Sequence, residues 1–80
     1  MHVVETLTQL ENALKDEVAE LLIVNWLAVQ TYKAMIEENT FFYEWNVRYK
    51  NICHKIRANY YIMEFNQNKS YLLIYKEGHF

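Results

Sequence analysis

Apolar residues recur at three- and four-residue spacing through Leu10, Leu14, Val18, Leu21, Leu22, Ala28, Val29, Tyr32, Met35 and Ile36. That spacing puts them on one broad stripe of an α-helix, while Glu17, Glu20, Gln30, Lys33 and Glu37 fall largely off it. Thr8 followed by Glu11 matches a capping box, with Thr6 and Gln9 as a competing version. The pattern predicts a helix from about residue 6 to about residue 38, ended by Glu37-Glu38-Asn39 with Asn39 as a left-handed cap.

Such a helix is too long for its chain. About thirty residues at about 1.5 Å each make a rod of about 45 Å, whereas a domain of about 100 residues has a radius of gyration of about 13 Å. Either the helix bends or breaks near Val24-Asn25, with no Gly or Pro to mark the place, or another molecule covers the overhang. From Leu21 to Val29 the helix would be apolar nearly all round, with Ile23, Trp26 and Leu27 off the main stripe, which favours the second outcome.

Near Asn39-Thr40 the period changes from helical spacing to alternation. Phe41, Tyr43, Trp45, Val47 and Tyr49 alternate with Phe42, Glu44, Asn46, Arg48 and Lys50, which reads as a half-buried strand. Beyond it Ile52, Ile56, Ala58, Tyr60 and Ile62 share one parity and Cys53, Lys55, Arg57 and Asn59 the other. A hairpin through Asn51 would put both polar sets on one face; a short amphipathic helix through Ile52, Cys53, Ile56 and Tyr60 competes with it. The segments YYIMEF and SYLLIY flank a polar loop at Asn66-Gln67-Asn68-Lys69 and are apolar on both faces. The expected fold is therefore α+β: an N-terminal long or kinked helix packed on a three- to four-stranded antiparallel β-meander, in one domain over 1–80, with a helical part at about 6–38 and a β part at about 40–77.

Composition narrows the class. Eighty residues support a single core of limited size, so stability should be marginal unless something adds to it. A lone cysteine excludes an internal disulfide and suits a reducing compartment, and the start of the chain shows no signal pattern, so a cytoplasmic protein is expected. The run LLIVNWLAV is too short and too polar for a bilayer span. A preference for Asn, Lys, Ile, Tyr and Phe, with no proline and one glycine, is the bias of an AT-rich coding genome, as in a phage, an archaeal virus or a low-GC bacterium.

The net charge of −2 is unevenly spread: residues 1–44 hold eight acids against two bases, residues 45–63 hold Arg48, Lys50, Lys55 and Arg57 and no acid, and the remainder balances. On the expected hairpin those four cations would gather at one end of the outer sheet face, beside Tyr61, Met63 and Phe65. Cations that track phosphate next to rings that stack bases suit single-stranded nucleic acid; the same pattern also describes a solvated strand surface.

Catalytic and metal chemistry find little support. Cys53 and His54 are neighbours on a strand and would point to opposite faces, away from any shared ion or proton. No Gly-rich phosphate loop or separated carboxylate pair occurs, so no cofactor, metal, small-molecule substrate or enzymatic activity is expected. What remains is excess apolar surface: one helix covers one face of a sheet, and the last two strands are apolar on two. Trp26, Tyr61, Met63, Phe65 and Tyr75 are the expected interface residues, with Arg48, Lys50, Lys55 and Arg57 as an electrostatic rim. The expected function is a small non-catalytic protein-binding module, a homodimer that occludes a larger intracellular protein, in the manner of a phage- or virus-encoded inhibitor in the host cytoplasm. A nucleic-acid-binding module using the basic stretch 48–57 is the alternative.

Overall fold

The computed structural model describes residues 2–36 and 47–78, with backbone alone for 47–50. The elements are β1 (His2–Val4), α1 (Leu7–Lys15), β2 (Glu20–Val24), α2 (Trp26–Ile36), α3 (Val47–Asn59), β3 (Tyr60–Asn66) and β4 (Tyr71–Lys76). The strands form one mixed sheet in the order β1-β2-β4-β3. β1 and β2 run parallel, a pairing that needs a crossover, and α1 supplies it. The β2–β4 and β4–β3 pairs are antiparallel. The class is α+β, but the sheet is not an antiparallel meander and no long N-terminal helix exists.

The helix expected over 6–38 is α1, a strand and α2 within its described part, and the overhang disappears because the chain turns into the sheet. Glu20–Val24 reads apolar on every side because β2 is an inner strand: Leu21 and Ile23 are fully buried, and Leu22 and Val24 lie on the opposite face. Apolar cover all round belongs to a buried strand as much as to a buried helix, and five residues cannot separate the two by period. The break falls where Val24-Asn25 suggested one. Asn25 takes φ 63°, which its short polar side chain tolerates, and its carbonyl accepts from the Ala28 N–H at 3.1 Å as α2 begins.

α1 is defined at both ends by local hydrogen bonds. Thr6, not Thr8, is its N-cap: the Thr6 hydroxyl accepts from the Gln9 N–H at 3.2 Å while Gln9 Oε1 accepts from the Thr6 and Glu5 N–H groups at 3.2 and 2.7 Å. At the other end Glu17 N–H donates to Leu14 O at 3.1 Å and Val18 N–H to Ala13 O at 3.0 Å, the two bonds of a Schellman turn. Glu17 holds the left-handed position with φ 55°, where glycine is the usual occupant. A third left-handed residue, Ser70 at φ 52°, closes the β3–β4 loop.

The expected hairpin through Asn51 is replaced by α3, which runs straight through that residue to Asn59. Ile52, Cys53 and Ile56 are buried on it, the set that the competing helical reading grouped. The ambiguity is arithmetic: Ile52, Ile56 and Tyr60 are four apart, a spacing that serves period 2 and period 3.6 alike. Of the expected first strand, Val47–Lys50 belongs to α3, while Phe41–Asn46 and the Asn39 cap lie outside the described residues. The division into a helical and a β part near residue 40 fails too, because α3 follows it and β1 and β2 precede it. YYIMEF and SYLLIY do form the expected hairpin, as β3 and β4.

One core holds the described elements together. Leu10, Ala13 and Leu14 of α1, Leu27 and Ala28 of α2, and Ile52 and Ile56 of α3 meet a single parity of the strands: Val4, Leu21, Ile23, Tyr60, Leu72 and Ile74. The described helices therefore share one side of the sheet. The shortest dimension of the molecule, 20 Å, is that of two layers, since a helix is about 10 Å across and a sheet packs at about 10 Å.

Two of the three left-handed residues, Glu17 and Ser70, generate a stability prediction. A non-glycine residue in this conformation costs about 1–2 kcal/mol, part of which glycine loses again through its freer unfolded chain. Glu17→Gly and Ser70→Gly should each raise the free energy of unfolding by about 0.5–1 kcal/mol. They lie at opposite ends of β4, so urea titration of the double variant should give close to the sum.

Candidate functional site

Strand registers establish what the other face of the sheet carries. Val3, Leu22, Leu73 and Glu64 lie side by side across the four strands. Glu20, Tyr75 and Tyr61 form the row on one side of them, and Val24, Tyr71 and Asn66 the row on the other. Seven of these ten positions are apolar or aromatic and none is Lys or Arg, and no described element packs on them. Val3 is 52% exposed, while the inner members are half-buried. Four strands about 4.8 Å apart and about five residues long give a planar footprint of roughly 300 Å². Apolar patches that reach about 300–600 Å² on a monomer are often functional.

The expected interface residues divide between the two faces. Tyr61 and Tyr75 oppose each other on the uncovered face, their ring centroids 6.2 Å apart and planes tilted by 59°. Met63, 49% exposed, is the additional residue of a bulge between Ile62 and Glu64. That bulge reverses the parity of β3, so Phe65 lies not beside Tyr61 but in the covered row with Leu72, stacked on Tyr32 of α2 with centroids 3.8 Å apart. Trp26 opens α2 and is 59% exposed, at the end of the sheet where Asn25 N–H donates to Ser70 O at 2.8 Å. Leu22 and Val24 escape the sequence reading because their segment reads as helix, whereas Tyr71 and Leu73 belong to the doubly apolar strand SYLLIY and share the parity of Tyr75.

Arg48, Lys50, Lys55 and Arg57 lie on α3 rather than on a hairpin. The helical period puts positions 48 and 55 near one line along the axis and positions 50 and 57 near another, about 160° away. The hairpin that would gather them beside Tyr61 and Met63, on which the nucleic-acid reading rested, is replaced by α3. Cys53 is buried on α3 and its neighbour His54 is exposed. Among the described residues no group of three or more His, Cys, Asp or Glu side chains could hold a metal ion, and no helix is long and apolar enough to cross a membrane.

Lys55 has an unexpected neighbourhood. It lines a cleft of about 270 Å³ with Lys15 and Leu14 at the end of α1, Glu17 in the Schellman turn, Asn59 at the end of α3, and Tyr60 and Lys76, which pair across β3 and β4. A shallower depression of about 390 Å³ between α1 and α3 shares Leu14 and Lys55 with it. Tyr60 anchors the floor: its hydroxyl donates to Val18 O at 2.5 Å, tying the start of β3 to the α1–β2 connection. Burial, and secondarily the Glu17 carboxylate, hold the Tyr60 phenol above its ordinary value of 10.0.

Comparison with known proteins gives no match: no family model fits the chain, and no curated protein and no solved structure resembles it significantly. The fold and its surfaces define the class alone, a two-layer α+β domain with one face of its mixed sheet uncovered by described elements.

The raised phenol couples the fold to alkali. Its folded value lies above the unfolded one, so the stabilisation is fully present below pH 10 and is lost as pH rises through the folded value. Unfolding midpoints measured from pH 8 to 11 should fall above pH 10. Tyr60→Phe should lower stability by about 1 kcal/mol at pH 8 through the lost hydrogen bond and should make the alkaline fall shallower. Parallel curves for the two proteins would remove Tyr60 from this account.

Proposed function

We propose that the protein is a small non-catalytic binding module that acts through the uncovered face of its sheet, self-associating as a homodimer and presenting the same surface to a larger protein in a reducing, cytoplasmic environment. The carrying observation is the set of registered rows centred on Leu22, Leu73 and Tyr75, apolar positions on a face that no described helix packs against. Apolar area on a folded surface is stabilised by removal from water, at about 25 cal/mol per Å². Tyrosine is suited to such a site because it buries a large ring and keeps a polar tip for the rim.

Size sets the strength. A standard interface covers about 800 Å² of accessible surface per partner. A face with a planar footprint of roughly 300 Å² supplies its centre and needs its margins, where Met63, Val3 and Trp26 extend the apolar area. Self-association should therefore be of the weak class, with a dissociation constant on the order of micromolar.

Light scattering after size exclusion should give a mass that rises from one chain towards two between roughly 1 and 200 µM, the range that brackets such a constant. Tyr75→Glu should hold the protein as a folded monomer throughout. Phe65→Glu should instead unfold the chain, because it buries a charge against Tyr32. A wild-type protein that stays monomeric at every concentration, or a Tyr75→Glu variant that dimerises unchanged, refutes dimerisation through this face.

A further inference from the structure

The cleft at the ends of α1 and α3 gathers three lysines, Lys15, Lys55 and Lys76, that are distant in sequence and come from three elements. Lysines near helix C-termini ordinarily complement the macrodipole or bond the last carbonyls. Here several of those carbonyls are already served. Asn12 O and Leu14 O accept from the Asp16 N–H, Leu14 O also from Glu17 N–H, and Ala13 O from Val18 N–H. At the end of α3, Lys55 O accepts from Asn59 Nδ2 at 3.0 Å and Asn59 O from Glu77 N–H at 2.6 Å.

The ammonium groups are left with little to hold. Lys15 and Lys55 make no side-chain hydrogen bond or ion pair among the described residues. Lys76 Nζ meets Glu17 Oε1 at 3.4 Å, and the Glu17 side chain is 75% exposed, so water screens the pair. The Tyr60 hydroxyl is committed to Val18 O and offers no second donor. Three lysines thus line a cavity of about 270 Å³, with Glu17 as the one carboxylate in its lining.

We propose that this cleft binds a phosphate group, free or as the monoester of a compact molecule, which displaces Glu17 from Lys76 and takes donors from Lys15, Lys55 and Lys76. A phosphate carries about −1.5 to −2 charge at pH 7 and three acceptor oxygens, so it engages three point-charge donors at once. A carboxylate, with one charge and two oxygens, engages them more weakly. The cavity limits the ligand to a small one, below most drug-sized sites. Leu14 and the Tyr60 ring supply an apolar wall for the carbon portion of a monoester. The site lies at the end of the covered layer, where Lys76 shares the register of Tyr60, and does not depend on the uncovered face.

The test is amide chemical-shift titration of the full chain with inorganic phosphate, glycerol phosphate and acetate at constant ionic strength and pH 7.5. Phosphate should saturate with a dissociation constant on the order of 1 mM, with shifts confined to Lys15, Glu17, Lys55, Asn59, Tyr60 and Lys76. Tighter binding of glycerol phosphate than of phosphate assigns the monoester as ligand, and equal binding assigns the free anion. Acetate should bind at least tenfold more weakly. Lys15→Gln with Lys55→Gln, both at exposed positions, should weaken phosphate at least tenfold, while Lys33→Gln with Lys69→Gln, the same loss of charge elsewhere, should leave it unchanged. Glu17→Gln should strengthen it. Linear shifts without saturation, shifts spread over all lysines, or equal effects of the two double variants overturn the site. Dimer mass measured on the same variants keeps this outcome separate from that of the uncovered face.

Discussion

Leu21, Ile23, Leu72 and Ile74 have no exposed surface, and they are the helix-facing residues of two strands paired in the middle of the sheet. Each alternate residue on β2 and β4 has a backbone partner beside it and a helix below it, so the antiparallel pair acts as the plane against which everything else is positioned. β1 adds to it by a parallel register that requires α1 as a crossover, and β3 adds by a short loop. With the helix-facing parity set by these four residues, Val4, Ile62 and Phe65 fall into line with them, and α1, α2 and α3 converge on the same side.

A chain of eighty residues then has one described layer of helices for a sheet with two faces. The uncovered face has kept Leu22, Val24, Tyr71, Leu73 and Tyr75 where a solvated sheet alternates to polar residues. Small domains are short of buried apolar area, and a face of this composition gains when it is covered. Stability and binding are thus linked in the proposed function: a partner on this face would remove from water the apolar surface that the described core does not reach.

The two ends of the sheet differ in the same physical terms. At one, Asn25 and Ser70 hold the β2–α2 turn against the β3–β4 loop by a backbone bond, and Trp26 stands exposed beside it. At the other, helix ends, a strained Glu17 and the Tyr60–Val18 bond collect charge into a cleft. Helix termini bring backbone carbonyls and basic side chains together by themselves; here Asn12 O, Ala13 O, Leu14 O and Asn59 O already accept backbone N–H groups.

The sequence by itself determined the α+β class and the β3–β4 hairpin with its polar loop, and offered a break at Val24-Asn25 as the less favoured of two outcomes for an overlong helix. These follow from local chemistry: alternation over six residues and turn-forming Asn. Only the tertiary structure decided the rest. Glu20–Val24 is a strand because β1 and β4 are there to pair with it, and an apolar run of that length has no period of its own to choose helix or strand. Residues 52–59 are helical because Ile52, Cys53 and Ile56 can be buried together beneath the sheet, which spacing of four left open. Phe65 faces α2 because of a single bulged residue, Met63, which no pattern announces. The lysine cleft joins residues up to sixty-one positions apart, Lys15 to Lys76, and such proximity exists only once the strands have paired.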